Sequence, residues 1–126
     1  EERINQSVAV VRIQARQALV TERVVTQYVD RVRTVREAGE TIVKEVPVYV
    51  PAQCDADGRL PAGWRVLHDA AASGQPADPA RTADAQPVAP DAAAETVARN
   101  YLTCRETAEQ LTALQQWVRE QAAVQP

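Results

Sequence analysis

An all-α chain is what this sequence predicts, on three observations. Two long stretches repeat apolar residues at heptad spacing. Aromatic residues make up only 4% of the 126 residues, and there is no Phe. The prolines gather between the two stretches rather than within them, apart from the last residue, Pro126. With 45% hydrophobic residues, many of them Ala and Val, the chain has little bulk for a globular interior. An elongated or coiled-coil-like helical module, taken as a single domain over 1–126, is the architecture these numbers favour.

The first stretch places Ile4, Val11, Ala18, Val25 and Val32 on one heptad line. Val8, Ala15 and Val29 accompany it at the four-residue offset, and Glu22 is a polar break. This spacing predicts a long helix over 1–38, roughly 50 Å at about 1.5 Å per residue, with Gly39 as its stop. Arg33 with Glu37, and Arg36 with Glu40, are spaced for i,i+4 pairs on its exposed face. Val24, Val25, Tyr28, Val29, Val32 and Val35 are mostly β-branched, so a hairpin over 22–50 competes with the helix there. The pattern does not alternate cleanly, which favours the helix.

Residues 41–52 read as an extended strap, because Ile42, Val46, Val48 and Val50 lie between Pro47 and Pro51, which oppose a continuing helix. Cys54 to Arg59 is turn chemistry. Trp64, Leu67 and Ala71 then fall at helical spacing, predicting a short helix over 62–73. Residues 74–90 carry Pro76, Pro79, Pro87 and Pro90 among Ala, Asp and Gln, and read as a linker, mobile or a loosely held loop. The second heptad stretch runs from a cap at Asp91 to about Ala122. Val97, Cys104, Leu111 and Val118 repeat every seventh position, with Tyr101 and Ala108 four residues after the first two. These are seam positions of a helix of about 30 residues whose apolar stripe needs a partner.

The two cysteines, Cys54 and Cys104, admit three readings: unrelated thiols, a redox pair or a structural disulfide. Without C-x-x-C spacing, the disulfide is the expectation. It could be intrachain or interchain. Closing the intrachain loop would add about 4 kcal/mol in the chain-entropy model and would imply an oxidising compartment such as the periplasm.

No enzyme chemistry is expected. His68 and Asp69 are sequence neighbours on a helix and point in different directions, so they do not make a relay. The four glycines are scattered, with no phosphate-cradling loop. Two Cys and one His do not supply a zinc site, so neither metal nor cofactor is expected. A net charge of −3 offers no electrostatic reason for nucleic-acid binding. The chain contains no Met, so Glu1 is not a translation start, and a leader or anchor is expected ahead of it.

Three blocks together resemble a known family. The first is Tyr28-Val29-Asp30-Arg31-Val32 running into Thr41-Ile42-Val43-Lys44-Glu45-Val46-Pro47-Val48-Tyr49-Val50. The second is Pro61-Ala62-Gly63-Trp64-Arg65-Val66-Leu67-His68-Asp69-Ala70-Ala71. The third is Asn100-Tyr101-Leu102-Thr103-Cys104 with Gln110-Leu111-Thr112-Ala113-Leu114-Gln115-Gln116-Trp117-Val118, whose Leu-x-x-Leu-Gln-x-Trp-Val close is the most specific piece. The chain resembles the periplasmic part of Rz-like lysis proteins, the inner-membrane spanins of tailed phages and prophages. That resemblance implies a single-pass anchor ahead of Glu1 in the host inner membrane and a homodimer joined through helices. It also implies an outer-membrane lipoprotein partner, the outer spanin, with which the chain bridges the periplasm and promotes membrane fusion during host lysis. Trp117, Val118 and Arg119 are the candidate contacts for that partner, with Trp117 alternatively plain core. The competing expectation is a periplasmic or virion structural helical bundle with no fusion role.

Overall fold

A computed structural model describes residues 1–50 and 58–125. The fold is all-α: a long helix α1 (Glu2–Tyr49), a short α2 (Ala62–Ser73) and α3 (Pro90–Ala122), with a 3-10 turn at Pro79–Ala83. Among the described residues there is no strand, only an isolated antiparallel bridge between Leu60 and Val88. The chain divides into two compact units.

The first unit comprises residues 1–38 and 102–126, so α1 up to Ala38 and the greater part of α3 pair antiparallel within it. Val24, Val32 and Ala113 are its buried apolar residues. Ile13, Val20, Tyr28 and Val35 lie half-buried on the same side of α1, and Leu102 does so on α3.

The second unit spans residues 39–101. Leu60 and Val88 each donate to the other's carbonyl at 2.8 Å, closing the loop that carries α2. Among the described residues, Val88 and Ala93 are its buried ones. Gly74 closes α2 with φ +73°, a left-handed cap in which only glycine is unstrained, and its N–H donates to the Ala70 carbonyl at 2.9 Å. The side chain of Asp78 caps the 3-10 turn by accepting from the Ala80 N–H at 3.0 Å.

Three expectations are corrected. The helix does not stop at Gly39, and residues 41–49 are not an extended strap: α1 continues through both to Tyr49. Val24, Tyr28, Val32, Val35, Gly39, Val43, Val46 and Val50 are all buried or half-buried at steps of three or four. One continuous helical face therefore outweighs the β-branched propensity and the cost of an interior glycine. Pro47 sits in the last turn of α1, where its missing N–H removes one bond near an end that is about to stop anyway. Helix over hairpin is thereby the outcome for 22–49. The rest of the strap, residues 51 and 52, lies outside the described residues.

The stretch 74–90 is not a bare linker. It holds the 3-10 turn, and Val88, its lone aliphatic larger than Ala, is buried and bridged to Leu60. Finally, α3 begins at Pro90 rather than after a cap at Asp91. Proline is pre-organised for a first helical position, and the Ala93 N–H bonds back to the Ala89 carbonyl at 3.0 Å.

Candidate interaction surface

Most of the residues expected to form the helix seam are exposed. Of Ile4, Val11, Ala18, Val25 and Val32, only Val32 is buried, at 5% exposure, while Ile4 is 67% exposed. On α3, Val97 and Tyr101 are exposed in the second unit. Cys104, Ala108, Leu111 and Val118 are exposed in the first. The buried positions inside the first unit are Val24 and Val32 of α1 and Ala113 of α3, so of the predicted seam residues only Val32 takes part.

That inner contact is mostly polar. Arg23 pairs with Glu120; Arg31 Nε donates to Glu109 at 2.8 Å, and Arg36 Nε donates to Glu106 at 2.9 Å. Gln116 donates to Gln27 at 3.1 Å. The Trp117 indole N–H donates to the Thr21 hydroxyl at 2.9 Å, and Gln121 donates to both the Gln17 carbonyl and Thr21 Oγ1. Arg16 reaches the Gln125 carbonyl. Arg36 therefore serves the partner helix, where the sequence pattern offers it Glu40. None of these cross-helix pairs is legible from the heptad line. The available signal is the placement of arginines on α1 and glutamates on α3 at spacings that match in antiparallel order.

Electrostatics follow from these pairs. The hydrogen bond from Arg23 holds the Glu120 carboxyl below its ordinary value of 4.5, against a smaller opposing effect of desolvation.

Beside this contact lies an apolar groove of about 370 Å³. Val24, Val25 and Tyr28 line it from α1, and Ala113, Leu114 and Trp117 line it from α3, with no charged side chain in its wall. Val25, Leu114 and Trp117 are at once groove walls and exposed hydrophobics. Trp117 is 37% exposed: its N–H is engaged by Thr21 while part of its ring faces solvent. Val118 and Arg119 are exposed next to it. A contiguous exposed apolar patch of this kind marks an interaction surface.

Cys104 carries a free, exposed thiol. Its expected partner, Cys54, lies outside the described residues. In the second unit the His68 ring stacks on Trp64, with centroids 4.8 Å apart, and meets the Asn100 amide at 3.3 Å. His68 Nδ1 is 3.7 Å from the Asp69 carboxylate, too far for a hydrogen bond. Among the described residues no group of His, Cys, Asp and Glu is arranged to hold a metal ion, and no helix is long and apolar enough to cross a membrane.

Compared with known proteins, the chain matches no family model, no curated protein and no solved structure.

Proposed function

We propose that the chain is the periplasmic part of an inner-membrane spanin of the Rz-like class. In this reading it is anchored by a segment ahead of Glu1, associates with a second copy of itself, and engages a small outer-membrane lipoprotein. Together they link the two membranes of a Gram-negative host and promote their fusion at lysis. It has no catalytic role.

The observation that carries this reading is the outward apolar surface of the first unit. Val25, Leu111, Leu114 and Val118 stand exposed around the uncharged groove at Trp117. Two helices provide no third layer to cover it, so a helical partner is the natural occupant. The three sequence blocks that resemble the Rz-like class supply the remaining support, and Trp117 and Val118 sit in the most specific of them.

Complementation tests the proposal. The full-length protein, expressed with the lipoprotein encoded beside it, should restore bursting to a Gram-negative host whose lysis genes lack only their spanins. Trp117→Ala together with Val118→Asp should abolish bursting while leaving the protein level unchanged. Cells that stop as intact spheres with the unaltered pair present would overturn the fusion role and leave a structural helical bundle as the better account.

A further inference from the structure

Paired charges link the two helices of the first unit along their length. From Arg16 to Arg36 the polar partners run steadily backward, from Gln125 just past the end of α3 through Glu120, Gln116 and Glu109 to Glu106 on α3. The three arginines of the cross-helix ion pairs all lie on α1, and the three glutamates all lie on α3. Only one antiparallel register satisfies all three. Beside this ladder the apolar contribution is modest: among the described residues Val24, Val32 and Ala113 are the buried apolar side chains of the unit, Ile13, Val20, Tyr28, Val35 and Leu102 are half-buried, and larger aliphatics such as Leu111 and Leu114 are exposed. Closure also shuts Arg31 Nη2, Glu120 Oε2 and Gln121 Oε1 away from solvent with no hydrogen-bond partner, which weakens the closed state further.

We infer that the first unit is an ionic latch. Residues 2–38 of α1 and 102–122 of α3 are held together by a ladder of charge pairs, and they separate when those charges are screened, while the second unit remains folded. Every ion pair of the ladder is partly exposed, so each is open to screening by salt. Opening would also bare the inner faces at Val24, Val32 and Ala113, giving each helix a second face for a new partner. The inference does not depend on the spanin reading. It concerns how the unit opens, whatever it then engages.

Spin labels report the opening directly. In the full chain carrying Cys54→Ser and Cys104→Ser, labels are placed at Ala18→Cys and Ala122→Cys, and the labelled chain is diluted with unlabelled chain so that only intrachain distances are read. Raising salt from about 0.05 M to about 1 M, which shortens the screening length to about 3 Å, should lower the closed population about tenfold. Reversing Glu106, Glu109 and Glu120 to Arg should open the unit at low salt, and adding Arg23→Glu, Arg31→Glu and Arg36→Glu should close it again. Throughout, amide exchange at Leu60 and Val88 should stay slow, because their mutual hydrogen bonds belong to the second unit. A distance that responds neither to salt nor to charge reversal overturns the latch. So does a reversal that the six-fold swap fails to restore, or a loss of Leu60 and Val88 protection in step with opening.

Discussion

The Trp117 indole N–H is bonded to the Thr21 hydroxyl at 2.9 Å, and that hydroxyl donates onward to the Gln17 carbonyl at 3.0 Å. One small side chain on α1 thus fixes the orientation of the largest aromatic on α3, and so shapes the groove that the indole lines. Thr21→Val keeps the shape but removes the acceptor of Trp117 and Gln121. It should lower stability by about 1 kcal/mol, measured by urea denaturation, and shift the Trp117 emission. An unaltered spectrum would mean that the indole is held by something else.

Glu120 makes acid sensitivity predictable. A carboxyl whose folded pKa is depressed adds stability that is fully present above its ordinary value of 4.5. That contribution is lost as pH falls through the lower folded value. The melting-temperature difference between the natural chain and Glu120→Gln should therefore be largest near neutral pH and shrink steadily below about pH 4.5. A difference that stays constant on acidification would separate Glu120 from Arg23.

The two faces of α3 should respond oppositely to substitution. Leu111→Asp lies on the exposed stripe and should change monomer stability by less than about 0.5 kcal/mol, yet abolish self-association in sedimentation experiments. Ala113→Leu lies in the closed contact and should cost about 1–3 kcal/mol by overpacking. If both variants behave alike, the assignment of inner and outer faces is wrong.

Cys104 stands exposed with a free thiol, so it should react in the native protein with a maleimide nearly as fast as in an unfolded control. Protection that only a reductant removes would instead establish a disulfide.

Pro47→Ala restores an N–H inside the last turn of α1 and should raise stability by about 1–3 kcal/mol, with a gain in helical circular dichroism. No gain would return residues 41–49 to an extended segment.

The helices were legible in the sequence because heptad spacing reports a period. Ile4, Val11, Ala18 and Val25 identified α1, and Val97, Cys104, Leu111 and Val118 identified α3. Spacing does not say which face meets which partner. The face that closes the first unit is marked by Val24, Val32 and Ala113 among arginines and glutamates, and its polarity made it look like solvent-facing surface. Gly39 and Pro47 are local stop signals whose cost is about what one more helical turn of packing recovers, so tertiary context decided against them. Val88 stands alone among Pro, Ala and Asp, so no periodicity marks it as core. A single aliphatic is nevertheless enough when a backbone bridge to Leu60 brings it under cover. Trp117 was singled out from the sequence, but the groove beside it depends on residues from both helices and could not be.

The reciprocal pair of hydrogen bonds between Leu60 and Val88 has an engineering consequence. It brings two chain positions side by side, so the sequence between them leaves and returns at nearly one point. Extra residues introduced at the exposed Gln75 to Ala77 turn would lengthen an excursion whose base is already tied, without moving either end of the tie. That turn is the natural place to graft an epitope or a fluorescent reporter into this chain.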